Sequence, residues 1–244
     1  MAEKFSKEWL EEMHYDWELV DEMIAFFNAY YKMTEHPLDR KTAFLLGDYT
    51  DENSHLAILI DSLMWKAINP NSQEEINFFY RITPFELMVN WFKAMGNSTE
   101  SICEYIEKKM KENSYKTILN YGGGSGWISV WLAKRGYEVT HTEINLPSLE
   151  WMRYINQKLN LNIKIIDVMK DPIGPKYDLV LVKDVFEHLE NPQTLYEFLL
   201  PRSKCLIYEP ETVGGPLDTE PMHFKFDGFK TPDNVISSKD VFWK

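Results

Sequence analysis

The chain has 244 residues, of which 44% are hydrophobic and 26% charged, and its 38 acidic and 26 basic residues give a net charge of −12. This composition is typical of a globular protein with a sizeable core and excludes disordered and collagen-like chains. The acidic surplus repels polyanions such as nucleic acids and anionic membranes, and the lysines and arginines are scattered rather than clustered. Two cysteines without CxxC spacing predict neither a disulfide framework nor a thiolate zinc site.

The first part of the chain, from residue 6 to about residue 111, has the pattern of helices. Its apolar residues recur every three or four positions. Ser72 and Glu75 have the spacing of a capping box, Pro84 is placed for the first turn of a helix, and Gly96 is placed for a helix end. We therefore predict three or four helices here.

The second part of the chain alternates short apolar or β-branched runs with helical segments. Strands are predicted at 117–121, 138–142, 163–167, 178–183 and 204–208, with helices at 127–135 and 146–159 and short terminal strands at 234–236 and 240–243. Such alternation predicts right-handed βαβ crossovers and a parallel sheet covered on both faces. The predicted fold class is α/β, a Rossmann-like doubly wound, mostly parallel sheet (113–244) with an N-terminal helical cap and substrate-binding region (1–112).

The most informative motif lies between the first predicted strand and the next helix, where Gly122, Gly124 and Gly126 stand at alternate positions. Glycine permits a sharp turn and lets a ligand lie against bare backbone, at the carboxyl end of a strand where open α/β sheets bind their ligands. A nucleotide-like cofactor is therefore expected. The spacing is G-x-G-x-G, whereas a dinucleotide fingerprint counted from Gly124 requires a glycine at Ser129.

An acidic residue, Glu143, ends the second predicted strand about twenty residues after the glycine motif. In nucleotide-binding α/β folds an acid at this place accepts hydrogen bonds from ribose. Its two carboxylate oxygens can accept both ribose hydroxyls. Together with the glycine spacing, Glu143 favours a nucleoside cofactor and weakens the nicotinamide interpretation.

Residues 116–208 resemble the class I S-adenosylmethionine-dependent methyltransferases. Residues 118–126 look like that family's first motif, and residues 177–189 look like its fourth-strand motif. The resemblance implies S-adenosyl-L-methionine as cofactor, with Glu143 holding the ribose and Asp167 and Val168 contacting the adenine. The cofactor-binding residues that it implies are Asn120, Tyr121, Gly122, Gly124, Gly126, Glu143, Asp167, Val168 and Asp184.

One residue departs from the pattern of this family, which usually has an acid at the position of Asn120. In the family that acid helps to hold the glycine loop and approaches the methionine end of the cofactor. The departure therefore concerns cofactor affinity rather than the fold. An asparagine amide can still donate and accept hydrogen bonds there.

The segment from Asp184 to His188 has a second interpretation. It is similar to ubiquinone-type O-methyltransferases and small-RNA 2′-O-methyltransferases, in which a Glu-His pair and a later histidine bind a divalent cation. By this resemblance Glu187, His188 and His223 would be the metal ligands, and the cation would lower the pKa of the acceptor hydroxyl. The alternative is that Glu187 and His188 begin a helix and line the cofactor pocket without a metal.

Catalysis of methyl transfer is largely a matter of positioning, although some acceptors need a base. His188 and His223 are the candidate catalytic bases because imidazole titrates near neutrality. Each could equally be a hydrogen-bonded structural histidine. In the resembling family N-terminal helices commonly lie over the cofactor, so Tyr80 and Arg81 are candidate lid residues.

We predict a methyltransferase that uses S-adenosyl-L-methionine to methylate a small molecule or metabolite by in-line transfer. The expected partners are a small-molecule acceptor, with no nucleic acid and no membrane, and a homo-oligomer is left open. Without an apolar leader or a run of about 20 apolar residues, the expected location is cytoplasmic. Two alternatives stay open: an NAD(P)-dependent oxidoreductase, and a non-catalytic module that binds S-adenosylmethionine or a partner.

Overall fold

The structure, a computed structural model, describes residues 17–47, 63–83, 87, 97–209, 228–229 and 234–237. Its helices and strands are α1 (Trp17–Tyr30), α2 (Arg40–Gly47), α3 (Gln73–Ile82), α4 (Asn97–Glu112), β1 (Thr117–Tyr121), α5 (Trp127–Ala133), β2 (Glu138–Glu143), α6 (Leu146–Lys158), β3 (Lys164–Asp167), β4 (Tyr177–Lys183), α7 (Pro192–Leu199), β5 (Ser203–Glu209) and β6 (Val235–Ser237). Single 3₁₀ turns occupy Phe186–His188 and Leu200–Arg202.

The helices of the first part are more numerous than the sequence predicts. Residues 63–68 and Leu87 are helical in addition to α1, α2, α3 and α4, so the described residues contain more helical stretches than the three or four predicted. In α3 the predicted cap is confirmed, because the Ser72 hydroxyl accepts from the Glu75 N–H at 3.3 Å. The Glu75 carboxylate, however, accepts from the N–H of Asn71 at 2.6 Å rather than from that of Ser72.

Six strands form one sheet in the order β3-β2-β1-β4-β5-β6, and every pairing between neighbours is parallel. This confirms the doubly wound α/β fold, and the first five strands agree with the predicted bounds to within one residue at either end. The strand order turns back between β1 and β4, and at such a point the carboxyl ends of the strands open a crevice for a ligand.

The terminal strand predicted at 234–236 is β6, shifted by one residue. The predicted strand at 240–243, the helix start at Pro84 and the helix end at Gly96 lie outside the described residues.

Both faces of the sheet are buried, as is typical of parallel sheets. Successive side chains of a strand point to opposite faces and therefore enter different parts of the core. Ile118 and Leu119 are adjacent in β1 and belong to two different core clusters, one on each face. The cluster around Ile118 also contains Phe27 of α1 and Ile106 of α4, so these N-terminal helices and the sheet share one core. Within the described ranges, no helix is long and apolar enough to cross a membrane.

Candidate functional site

The glycine motif forms the turn between β1 and α5, at the crevice between β1 and β4. Gly122, Gly124 and Gly126 all have positive φ, at 63°, 56° and 80°. A Cβ at Gly122 would lie 2.5 Å from a methyl carbon of Val185, which follows β4. The loop is therefore a cradle of bare backbone in a conformation that other residues rarely adopt.

Glu143 lies at the end of β2 and is joined to the glycine loop. Its Oε2 accepts from the Gly124 N–H at 2.6 Å, and its Oε1 accepts from the N–H groups of Ile144 and Asn145 at 2.6 and 2.9 Å. Burial raises the pKa of the Glu143 carboxyl, and the three N–H donors partly oppose this rise. The predicted ribose-binding acid is thus buried beside the loop, and one of its oxygens accepts a single hydrogen bond from these donors.

Asp167 lies at the end of β3, in register with Glu143 on the neighbouring strand. The Arg81 guanidinium donates to both of its oxygens, from Nη1 at 3.0 Å and from Nη2 at 2.8 Å. These hydrogen bonds hold the pKa of Asp167 below its ordinary value. The Val168 N–H donates to the carbonyl of Glu143 at 3.2 Å. The predicted contacts of Asp167 and Val168 with adenine stay predictions.

Asn120 is buried in β1, beneath the glycine loop. Its Nδ2 donates to the Ser129 hydroxyl at 3.0 Å, and that oxygen lies 3.0 Å from Nδ1 of His141 in β2. The three side chains form a buried polar chain that ties β1, α5 and β2 together. Burial lowers the pKa of His141 to about 3, so its imidazole is neutral. Tyr121, the next residue, has its pKa raised to about 12 by burial.

The neutral His141 makes stability depend on pH. Its pKa is about 3 in the folded protein against an ordinary value of 6.5, so protons bind preferentially to the unfolded chain and stability falls as pH drops below about 6.5. Between pH 7.5 and pH 5.0 we expect the free energy of unfolding to fall by about 2 kcal/mol through this group. Urea denaturation at the two pH values measures the change.

The control for this prediction is another histidine of the same chain. His141→Gln should remove most of the fall, whereas His36→Gln, at an exposed position, should retain it. Equal pH dependence of the wild-type protein and His141→Gln would contradict the assignment to His141.

Asp184 follows β4 in the left-handed region, with φ of 50°. Its N–H donates to the Glu209 carbonyl at 2.9 Å. The Lys183 ammonium lies 2.7 Å from the Asp184 carboxylate and 3.0 Å from that of Glu209. The end of β4 is thus held to the end of β5 by an ion-pair cluster at the border of the crevice.

The predicted Glu-His pair forms the 3₁₀ turn after Asp184. Glu187 is buried, and the His188 Nδ1 lies 2.7 Å from the hydroxyl of Tyr80. The described residues contain no group of three His, Cys, Asp or Glu side chains placed to hold a metal ion. His223, the third predicted ligand and second candidate base, lies outside them.

Helix α3 connects the two sides of the crevice. Near its start, the Gln73 side chain donates to the His188 carbonyl at 3.3 Å and accepts from the Glu190 N–H at 2.8 Å. Near its end, the Asn145 side chain donates to the carbonyl of Tyr80 at 2.8 Å. The contacts of Gln73 with the turn after β4 and of Asn145 with α3 were not predicted, and nothing in the local sequence indicates them.

The geometry of α3 agrees with a helix that crosses the sheet edge. Its ten residues span about 15 Å, and the three strand spacings between β3 and β4 span about 14 Å. Arg81, near the end of the helix, contacts Asp167 at the end of β3. Gln73, at its start, contacts the turn after β4. The candidate lid residues Tyr80 and Arg81 therefore lie on a helix above the carboxyl ends of β2 and β1.

Two solved structures are similar to this chain. The first is described as a methyltransferase and the second as a domain with SAH bound. An S-adenosylmethionine-dependent methyltransferase from Clostridium acetobutylicum ATCC 824 has a TM-score of 0.40 and 15% identity, over 45% of this chain and 49% of its own. The N-terminal domain of EvdMO1 with SAH bound has a TM-score of 0.39 and 17% identity, over 43% of this chain and 48% of its own.

Two sequence comparisons also find methyltransferases. A family model described as a methyltransferase domain matches residues 119–199. A ubiquinone biosynthesis O-methyltransferase from Rickettsia typhi (strain ATCC VR-144 / Wilmington) is 32% identical over 96 residues, which are 37% of this chain and 39% of that relative's length. Residues 119–199 thus match a methyltransferase domain, and the chain spans 39% of the length of the curated methyltransferase that it matches.

Proposed function

We propose that the protein transfers the methyl group of S-adenosyl-L-methionine to a small-molecule acceptor. The observation that carries this proposal is the junction of the glycine loop with a buried carboxylate, where Glu143 accepts from the Gly124 N–H at 2.6 Å. This junction lies within the methyltransferase domain and at the topological switch point of the sheet.

The residues at the crevice fit such a cofactor. Gly122, Gly124 and Gly126 present bare backbone in the left-handed region, and Glu143 brings carboxylate oxygens to the loop. In the proposal Glu143 accepts from the ribose hydroxyls, and Asp167 with the backbone of Val168 contacts the adenine. Asn120 and Tyr121 end β1 at the methionine side, and Asp184 borders the site. When bound, the cofactor supplies an electrophilic methyl group on a sulfonium.

The task of the protein in this reaction is to orient the acceptor and exclude water. Helix α3 covers the crevice and contributes Tyr80, whose hydroxyl lies 2.7 Å from the His188 Nδ1. His188 is the proposed base for an acceptor that must lose a proton, because imidazole titrates near neutrality. His223, outside the described residues, is the second candidate base.

A small-molecule acceptor is supported by two observations. The net charge of −12 disfavours a polyanionic substrate. The curated relative is described as an enzyme of ubiquinone biosynthesis, although this chain covers only 39% of its length. A divalent cation held by Glu187, His188 and His223 stays a hypothesis, with two of its three ligands on one described turn.

Calorimetric titration tests the cofactor. We expect S-adenosylmethionine and S-adenosylhomocysteine to bind with micromolar affinity and NADH not to bind. Binding of NADH alone would favour the oxidoreductase and overturn the proposal. Binding of S-adenosylmethionine without methyl transfer to any acceptor in a metabolite extract would favour a non-catalytic module.

A further inference from the structure

On the basis of the proposed function, we propose that Arg81 gates the cofactor site. Its guanidinium donates to both oxygens of the Asp167 carboxylate, and an adenine amine competes with it for that carboxylate. The ion pair is well shielded, with side-chain exposures of 18% for Arg81 and 4% for Asp167. Arg81 would thus determine both access to the site and the selectivity for the base of the cofactor.

The Asp167 carboxylate has little remaining capacity to accept hydrogen bonds. Its Oδ1 accepts from Arg81 and from the Met169 N–H, at 3.0 and 3.1 Å. Its Oδ2 accepts from Arg81 at 2.8 Å and lies 3.6 Å from the Lys170 ammonium. An ionised carboxylate offers about four acceptor positions, and hydrogen bonds take three of them here. Two of these three hydrogen bonds come from Arg81, so a neutral amine competes chiefly with its guanidinium for the carboxylate.

Of the groups that hydrogen-bond to the Asp167 carboxylate, Arg81 is the one that can leave without moving the backbone at the end of β3. It is a side chain of α3, whereas the other donor is the backbone N–H of Met169, two residues after Asp167. Nη1 of Arg81 also donates to the Ile144 carbonyl at 3.2 Å, so the guanidinium bridges the ends of β2 and β3. Its departure would open the edge of the crevice at which Glu143 and Asp167 lie side by side.

Other contacts hold α3 independently of Arg81. Gln73 and Tyr80 contact His188 and Glu190 at the turn after β4, through hydrogen bonds that do not involve Arg81. The Asn145 amide also donates to the carbonyls of Tyr80 and Thr83 at the Arg81 end of the helix. Release of the Arg81 ion pair therefore moves the Arg81 side chain while the helix stays in place, and the side chain is the gate.

A purine without the amine distinguishes gating from simple support of the fold. S-adenosylhomocysteine carries an exocyclic amine that can donate to Asp167, whereas S-inosylhomocysteine carries a carbonyl oxygen there. That oxygen cannot donate to Asp167 but can accept from Arg81. Removal of the guanidinium should therefore strengthen binding of the adenosyl compound and weaken binding of the inosyl compound.

The experiment titrates both compounds into the wild-type protein, Arg81→Gln and Arg153→Gln. Arg153 is an exposed arginine of α6 that pairs with Glu150, and its replacement removes the same charge. We expect Arg81→Gln to bind S-adenosylhomocysteine about tenfold more tightly and to raise the adenosyl-to-inosyl affinity ratio by at least about tenfold. Arg153→Gln should match the wild-type protein. An unchanged ratio or weaker S-adenosylhomocysteine binding in Arg81→Gln would overturn the proposal.

A second variant keeps the test decisive. If Arg81→Gln fails to fold, Arg81→Lys replaces it, because lysine keeps the charge but loses the two-pronged geometry; it should raise the affinity ratio by a smaller factor. Failure of the wild-type protein to bind S-adenosylhomocysteine would contradict the proposed function, whereas equal binding by all variants contradicts the gate alone.

Discussion

Glu143→Ala is expected to weaken S-adenosylmethionine binding by about 10- to 100-fold, which corresponds to about 1–3 kcal/mol for a lost charge-assisted contact. The carboxylate is the group proposed to accept from the ribose hydroxyls. It also accepts from the Gly124 N–H, so its removal releases the loop that is proposed to hold the cofactor. Calorimetric titration of the wild-type and variant proteins measures the difference. Normal binding by Glu143→Ala would show that the ribose is held elsewhere.

The same substitution should reduce the free energy of unfolding by about 2–4 kcal/mol, because it leaves three N–H donors without their buried acceptor. Glu143→Gln separates the two effects. It keeps the side-chain size and one acceptor oxygen, so it should recover much of the stability but less of the cofactor affinity. Urea denaturation of both variants provides this comparison.

The pH dependence of cofactor binding gives an independent check on Glu143. Burial raises the pKa of this carboxyl above its ordinary value of 4.5, so acidification from neutral pH protonates it earlier than an exposed glutamate. Affinity for S-adenosylmethionine should fall as the pH decreases through that raised pKa, and Glu143→Gln should lack this fall.

For stability, the raised pKa of Glu143 acts in the opposite direction. The folded state holds this proton more tightly than the unfolded chain. The contribution of Glu143 to stability is therefore present at low pH and is lost as pH rises through the raised pKa. As the pH falls, the stability gained through Glu143 partly offsets the stability lost through His141. Comparing the wild-type protein with His141→Gln isolates the contribution of His141.

The strands were predictable because their signals are local. The run at 117–121 is a strand with the same bounds in the structure, and Asn145 caps α6 by accepting from the Ser148 N–H at 3.0 Å. A run of this short length that is followed directly by a glycine turn favours a strand over a helix. The glycine motif and Glu143 come together because parallel strands end at the same edge of the sheet.

The contacts that α3 makes over the crevice were not predictable from local sequence. Arg81 and Asp167 are 86 residues apart, and Tyr80 and His188 are 108 residues apart. The sequence indicated Tyr80 and Arg81 only through the family resemblance, without their partners. His141 was missed for another reason: a histidine in a short strand looks like a solvent-facing residue, whereas β2 is buried on both faces.

Gly126→Ala is expected to destabilise the protein by about 2–5 kcal/mol and to weaken cofactor binding. About 1–2 kcal/mol comes from the left-handed backbone, because Gly126 has φ of 80°. A further 1–3 kcal/mol or so comes from overpacking, since a Cβ there would overlap the sulfur of the fully buried Met152. Urea denaturation and titration with S-adenosylmethionine measure the two effects.

Gly136→Ala is the matched control, because the two glycines share a backbone conformation but differ in surroundings. Gly136 has φ of 84°, and a Cβ there would have no neighbour within 4 Å. Its replacement should therefore cost only the backbone term of about 1–2 kcal/mol and leave cofactor binding unchanged. The excess cost in Gly126→Ala measures how tightly α6 packs under the loop, where the Trp151 indole also donates to the Ser125 carbonyl at 3.1 Å. Equal destabilisation by the two substitutions would mean that Met152 moves aside freely and that the loop is held by Glu143 rather than by α6.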